Sequence, residues 1–253
     1  MAGKLVRQAM EKLDHRGPDQ TAVWEHNDVA IGFVRLQITG SYEQGMQPQS
    51  CQTKTIVTNG EIYNSEHLMK RYNLPNSSCD TDVILPLYHI VGEGIVNELD
   101  GFYSSIIFDK DEVTATCLRD HIGKKPLFVG KTLNHVFISS EIKAFDSIER
   151  FQIVPLGVSK IDLERGMAIS TCPVPPLSTN RTLEEVFIDA VKKRIPPVGH
   201  PFGVFLSGGL DSSLVASVVS SFRPDAVYFT LTGPANQDGK AAEEVVASLG
   251  LRN

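Results

Sequence analysis

The spacing of apolar residues changes along the chain, and the changes divide it. Leu5, Val6, Ala9, Met10 and Leu13 recur at helical spacing, and the turn residues Arg16, Gly17 and Pro18 end that helix. From there to about residue 140, β-branched runs bounded by turn residues predict strands at Val29–Val34, Thr55–Thr58, Ser104–Phe108, Val113–Leu118 and Val136–Ser139. One helix is expected among them, over Thr81–Val91, with Pro86 as a kink inside it. The stretch CPVPPLSTN, Cys172 to Asn180, reads as a linker. Beyond it, Thr182 and Glu185 form a capping box for a helix with Leu183, Val186, Phe187, Ala190 and Val191 on one face. A strand at Phe202–Leu206 follows, then a helix with Leu210, Leu214, Val215, Val218 and Val219 on one stripe. A strand at Ala226–Thr232 and a helix near Lys240–Leu249 complete the series. Strand–helix alternation of this kind predicts a parallel sheet. The expected organisation is a β-rich domain over 1–171, a linker over 172–182, and the beginning of an α/β domain over 183–253.

Composition narrows the function. With 24 basic and 30 acidic residues among 253, the net charge is −6, which provides no electrostatic attraction to nucleic acid or an anionic membrane. No apolar run approaches the ~20 residues of a membrane span, and no apolar segment at the start resembles a secretory signal. Cys51, Cys79, Cys117 and Cys172 are scattered without zinc spacing, so free thiols in a reducing cytoplasm are expected.

The segment richest in chemistry is GVFLSGGLDSSLVASVV, in which a strand runs through Ser207–Ser213 into a helix. Gly208 and Gly209 let backbone approach an anion without a Cβ clash, and the helix start offers unpaired N–H groups and a positive dipole end. Ser207, Ser212 and Ser213 add hydroxyls, and Asp211 can orient the loop or a Mg²⁺ ion. No lysine stands where a Walker A loop needs one. The sequence instead resembles the SGG-x-DS signature of the ATP-pyrophosphatase, or PP-loop, family. That resemblance implies ATP and Mg²⁺ as cofactors and attack at the α-phosphorus with release of pyrophosphate. It assigns contacts with ATP or pyrophosphate to Leu206, Ser207, Gly208, Gly209, Asp211, Ser212 and Leu231, with Asp211 helping to hold Mg²⁺ through ATP. Downstream, GPANQDGK at Gly233 to Lys240 has the wrong spacing for a Walker A loop and reads as a loop at the sheet edge.

Further segments carry meaning in order: HRGPD at His15 to Asp19, FVRLQI around Arg35, GMQP at Gly45 to Pro48, NGEIYN at Asn59 to Asn64, CDTDVIL from Cys79, LDGFYSSIIFD from Leu99, RDHIGKKPLF from Arg119 and SSEIKAF from Ser139. The series resembles the class II glutamine amidotransferase domain. Followed by SGGLDSS, its order is that of glutamine-dependent asparagine synthetases. The resemblance implies an Ntn-type four-layer αββα sandwich (an α+β domain), followed by part of a Rossmann-like PP-loop sheet. It implies that Arg35 grips the glutamine α-carboxylate with its bidentate fork, that Glu61 and Asp80 accept from the α-ammonium, and that Asn59 and Gly60 form the oxyanion hole. Asn59 belongs to the glutamine-binding set as well. Arg119 and Asp120 read as structural, either as a buried ion pair or as a turn lock.

The chain departs from that family at its ends. The family places a nucleophilic cysteine directly after the initiator Met, whereas this chain starts Met1-Ala2-Gly3-Lys4, with too few residues before His15 for the family's opening strand. The α/β part is short, so Val204, Leu206, Phe229 and Leu231 are expected to be partly exposed, and association with a second copy or a partner chain is expected. Three readings follow. The first is an asparagine synthetase-like ligase, truncated at both ends, that uses ATP, aspartate and glutamine or ammonia. The second is a related ligase without a glutaminase, resembling a β-lactam synthetase. The third is a non-catalytic protein that binds glutamine or nucleotide, or pairs with a partner subunit.

Overall fold

The computed structural model describes residues 1–38, 42–176, 178–196, 198–233 and 238–251. The chain divides into two compact units, 1–176 and 177–253. In the first unit the elements are α1 (Ala2–Leu13), β1 (Gln20–His26), β2 (Val29–Arg35), β3 (Gln49–Cys51), β4 (Lys54–Ile62), α2 (Ser65–Tyr72) and α3 (Ile84–Val91). They are followed by β5 (Gly101–Asp109), β6 (Thr114–Arg119), β7 (Phe128–Thr132), β8 (Val136–Ser139), β9 (Ile148–Ile153), β10 (Gly157–Asp162) and β11 (Met167–Cys172).

The central layer is a six-stranded antiparallel sheet in the order β11-β10-β6-β5-β4-β3. Its residues alternate in the period of a strand that is buried on both faces. Ile56, Ile62, Tyr103, Ile107 and Leu118 pack with Leu68 of α2 and Leu87 of α3. On the opposite face Val57, Phe108, Ala115 and Cys117 pack with Ile31 of β2 and Val129 of β7. A second strand layer, the β1-β2 hairpin together with β8-β7-β9, therefore covers that face. Helix α1 lies on the outside of β2. A Cβ at Gly32 would come within 2.5 Å of Met10 Sδ and 2.6 Å of Val6 Cγ1, so only glycine admits the helix this closely. The result is the four-layer αββα arrangement.

Several elements differ from the sequence expectation. The helix expected over Thr81–Val91 is a 3-10 turn, Asp80–Val83, followed by α3. Pro86 falls in the first turn of α3, where its missing N–H has no intrahelical acceptor to lose, so it needs no kink. Helix α2 was not foreseen; Leu68 and Met69 are its buried apolar residues, with Tyr72 packed partly against the same core. Strand β4 runs past its expected end at Thr58 to Ile62, because Phe102, Tyr103 and Ser104 continue the ladder opposite Asn59–Glu61. Arg119 and Asp120 are turn locks. Arg119 donates to the carbonyls of Val154 (2.6 Å) and Gly123 (3.1 Å), and Asp120 accepts from the N–H groups of Tyr103 and Ile122.

The second unit comprises α4 (Leu183–Lys192), β12 (Gly203–Phe205), α5 (Leu210–Phe222), β13 (Val227–Phe229) and α6 (Asp238–Leu249). The Thr182–Glu185 capping box is formed, and β12 pairs parallel with β13. The expected exposure holds only in part. Val204 packs on Val219 and Ala226, and Leu206 on Ala216 and Ala242, so both are buried. The helices cover that face, whereas Phe229 and Leu231 are exposed, as is Phe205. Arg223 staples the unit together. Its guanidinium donates to Asp225 through Nε and Nη2 (both 2.7 Å) and to the carbonyl of Pro196 (2.7 Å).

In unit 1 the segment after α1 is tied to the 3-10 turn at Ile142–Ala144 through Glu141, which takes Arg16 at 2.7 Å and lies 3.0 Å from His15 and 3.1 Å from Lys143. Arg16 first, and Lys143 and His15 after it, hold the Glu141 carboxyl down from 4.5 to about 2 against the opposing effect of burial. A depressed carboxylate stabilises the fold above its unfolded pKa and loses that contribution as pH falls through the folded value. Acid titration followed by circular dichroism should therefore show stability declining from pH 4.5 toward about 2. Glu141→Gln should flatten the Glu141 part of that decline, and a variant as acid-labile as the parent would refute the assignment.

Candidate functional site

The residues expected to bind glutamine come from separate elements and meet in one cavity of about 730 Å³ in unit 1. Arg35 ends β2, Asn59, Gly60 and Glu61 lie on β4, and Asp80 opens the 3-10 turn before α3. All five line the cavity. Odd-numbered β4 residues face the second strand layer, so Asn59 and Glu61 point the same way as Val57 in the inter-layer core. Arg35 is 4% exposed, and its guanidinium is held by Gln20 Oε1 (2.6 Å) and by the carbonyls of Gln44 (2.8 Å) and Tyr42 (3.3 Å). Asp80 accepts from the Ile62 N–H at 2.6 Å, which fixes its carboxylate beside the end of β4.

Three further residues stand in this cavity without having been singled out from sequence. Ser104, opposite Asn59 in the β4–β5 ladder, is 3% exposed, and its Oγ has no hydrogen-bond partner among the described residues. A buried orphan hydroxyl costs free energy until something bonds to it. Gln47 is buried, donates to the Thr58 carbonyl at 3.2 Å and accepts the Thr58 N–H, so it buttresses β4 just before Asn59. Lys125 places its ammonium 5.0 Å from the Phe102 ring centroid, and burial, with Arg16 and Lys124 nearby, lowers its pKa. Only the alternation of LDGFYSSIIFD hinted at Ser104. Nothing local distinguishes Lys125 from Lys124, whose ammonium lies 3.8 Å from the same ring.

The cavity is thus bipolar, with Arg16, Arg35 and Lys125 set against Glu61, Asp80 and Glu141 and an apolar interior between them. Such a lining suits a small zwitterion. Among the four cysteines only Cys79 lines it. Burial pushes the Cys79 thiol up, and Cys117 likewise, so each is held as the neutral and poorly nucleophilic form.

In unit 2 the serine-glycine loop closes on itself. Ser207 and Ser212 hydroxyls lie 3.0 Å apart, and Ser212 and Ser213 both donate to the Gly209 carbonyl (3.1 and 2.7 Å). Gly209 is the N-cap of α5, and Asp211 is exposed in its first turn. Leu206 is core. Its N–H donates to the Phe229 carbonyl and its own carbonyl accepts from Thr230, so its side chain is not offered to a ligand. Leu231 is exposed. Residues 234–237 of GPANQDGK lie outside the described residues, so its reading as an edge loop has no structural counterpart.

The comparisons with known proteins follow the same division. A glutamine amidotransferase domain family matches residues 1–187. The chain belongs to that family. An asparagine synthase family matches residues 182–253 of this amidotransferase-domain chain. It is 35% identical to asparagine synthetase [glutamine-hydrolyzing] 1 of Lotus japonicus over 97% of its own length and 45% of that protein's. It is 36% identical to the asparagine synthetase of Sandersonia aurantiaca over 97% and 51% respectively. The chain spans about half the length of these relatives. A glutamine phosphoribosylpyrophosphate amidotransferase from B. subtilis, complexed with ADP and GMP, matches the fold with TM-score 0.57 at 17% identity, over 92% of this chain and 64% of that one. This likeness agrees with the layered Ntn-type arrangement.

The two loop glycines make different predictions. Gly208 has φ +78, and a Cβ there would lie 2.4 Å from Ala241 C of α6. Gly209 has φ −71, and a Cβ there would meet only Ser207 Oγ, at 3.5 Å. Gly208→Ala should therefore destabilise unit 2 by about 1–3 kcal/mol, and Gly209→Ala should leave its melting temperature within about 2 °C. Calorimetry of both variants checks this, and equal losses would contradict the geometry.

Proposed function

We propose that unit 1 binds glutamine and that unit 2 binds ATP as part of an asparagine synthetase-type, amide-forming ligase. In this reaction aspartate is activated on its side-chain carboxylate as an adenylate, with release of pyrophosphate, and nitrogen derived from glutamine displaces AMP. The observation carrying the reading is the convergence of Arg35, Asn59, Glu61 and Asp80 on one cavity, in a chain whose remaining residues match an asparagine synthase family. Arg35, already oriented by Gln20 and by backbone carbonyls, receives the α-carboxylate. Glu61 and Asp80 receive the α-ammonium. The Asn59 amide and the Gly60 N–H stabilise the oxyanion formed when the side-chain amide is attacked.

Anion binding at the start of α5 supports the ATP assignment, because Gly209 leaves open space beside helix N–H groups that have no intrahelical acceptor. No group of three or more His, Cys, Asp or Glu forms a metal cage among the described residues. Asp211 is thus one exposed carboxylate, which suits Mg²⁺ carried in on the nucleotide phosphates. The unpaired thiols suit a reducing, cytoplasmic compartment, and no helix among the described residues is long and apolar enough to cross a membrane. A second reading, glutamine or nucleotide binding without turnover, is favoured by the neutral Cys79 and Cys117 thiols.

Titration calorimetry tests both sites. L-glutamine should bind the chain, and Arg35→Lys should weaken it at least tenfold, since lysine cannot reproduce the fork. Mg·ATP affinity should fall severalfold in Asp211→Ala and further in Gly209→Val. Glutamine that binds both forms equally, or ATP that ignores both loop variants, would sink the corresponding assignment. The chain by itself should release no glutamate from glutamine above a blank, and release abolished by a thiol-alkylating glutamine analogue would assign a cysteine as nucleophile after all.

A further inference from the structure

The outer edge of β4 shows where a ligand oxygen is received. Tyr103, which pairs with Gly60, turns its N–H to Asp120 Oδ2 (3.1 Å) and its carbonyl to the Asp120 N–H (3.1 Å), both away from β4. The Gly60–Tyr103 pair is therefore one of the pairs without ladder hydrogen bonds, and the Gly60 N–H points off the far edge of β4, as do those of Thr58 and Ile62. Strand β3 covers that edge only as far as Ile56. Beyond it, Gln47 Oε1 accepts the Thr58 N–H and Asp80 accepts the Ile62 N–H at 2.6 Å. Side chains thus cap two of three successive edge amides, and the Gly60 N–H between them stays available to a ligand.

Asn59 stands next to that N–H, and its side-chain amide has a donor end and an acceptor end. For Nδ2 to share a ligand oxygen with the Gly60 N–H, Oδ1 needs a donor of its own. Without one, the flipped amide, with its acceptor turned to the ligand oxygen, competes. Ser104 lies directly opposite Asn59 on the same face of the sheet. The Cβ atoms of such a pair are ~4.5–5.5 Å apart, which one hydroxyl-to-amide hydrogen bond can span. The Ser104 Oγ is buried and has no partner among the described residues. Neighbouring donors are engaged elsewhere. Arg119, on the other side of Ser104, gives Nη1 and Nη2 to the carbonyls of Val154 and Gly123. Lys125 lies over Phe102, the residue across from Glu61. We propose that Ser104 is a positioning residue for Asn59: its hydroxyl donates to Asn59 Oδ1 and so fixes Nδ2 toward the carbonyl oxygen of a bound side-chain amide. A change of the Ser104 χ1 rotamer brings the hydroxyl round, and the bond it lacks in the free chain is then made. The inference rests on the reading that this cavity binds glutamine.

Titration calorimetry on the full chain tests this with L-glutamine and with L-norleucine, whose side chain has the same length and no amide. Ser104→Ala should weaken glutamine about tenfold and leave norleucine within about twofold, and Ser104→Thr, which keeps the hydroxyl, should recover most of the loss. In an Asn59→Ala background, Ser104→Ala should weaken glutamine by no more than about twofold further, because Ser104 acts through Asn59. Without ligand, Ser104→Ala should melt about 2–4 °C higher, since an unpaired buried hydroxyl is removed. Ser105→Ala should melt lower, since Ser105 accepts from the Thr58 hydroxyl at 2.9 Å and its loss leaves that group unpaired. Should the threonine variant fail to fold, the contrast between glutamine and norleucine in Ser104→Ala decides alone. Unchanged glutamine affinity in Ser104→Ala, equal losses for the two ligands, full additivity with Asn59→Ala, or a lower melting point for Ser104→Ala would each overturn the proposal and leave the glutamine reading standing. A parent chain that binds no glutamine would overturn both.

Discussion

The β4–β5 ladder carries unit 1. Nine residue pairs from Lys54–Asp109 to Ile62–Gly101 hold two strands of equal length in one register. Because a strand alternates faces, that register sends Ile56, Ile62, Tyr103 and Ile107 to the helices and Val57, Phe108, Asn59, Glu61 and Ser104 to the other strand layer. A one-residue slip would exchange the two sets, burying Asn59 and Glu61 under α2 and α3 and emptying both cores. The burial that stabilises the fold is therefore also what points the polar residues into the cavity. Gln47, bonded to the Thr58 backbone, secures the ladder where it changes from apolar to polar.

Electrostatics within that cavity are prearranged. Arg35 is nearly fully buried, and its hydrogen bonds to Gln20 and to the carbonyls of Gln44 and Tyr42 keep the planar fork oriented before any ligand arrives. With the fork already oriented, a carboxylate entering from the cavity meets a donor pair without waiting for that side chain to order. Asp80 is fixed in the same way through the Ile62 N–H. Ser104 is the exception, since its hydroxyl is buried beside Asn59 and has no partner among the described residues.

Unit 2 shows how a small sheet manages its faces. Two three-residue strands and the residue after β12 bury Val204, Leu206 and part of Tyr228 against α4, α5 and α6, leaving Phe205 and Phe229 exposed with their rings tilted to each other, 6.5 Å between centroids. Arg223 compensates for the small core by crossing between Asp225, Pro196 and His200. The serine-glycine loop meets its own polar requirements through Ser207, Ser212 and Ser213, so it holds its shape before an anion binds.

Local signals in the sequence were sufficient where a short window decides the outcome. The Thr182–Glu185 box, the strand at Val136–Ser139 and the helix after Gly209 follow from side chains that act within a turn or two of their own backbone. Arg35, Asn59, Glu61 and Asp80 were picked out together only through the order of motifs that resembles the amidotransferase domain, and the tertiary structure brings them to one cavity. Pairing partners far along the chain decided what such windows could not. Strand β4 continues past Thr58 through Asn59 and Gly60 because Tyr103 and Ser104 lie across from them. Leu206 was expected to be partly exposed at the end of its strand but is drawn into the core by Ala216 and Ala242. Ser104 and Lys125 join the cavity only once separate segments meet, since burial is a property of neighbours in space, and no residue carries it alone.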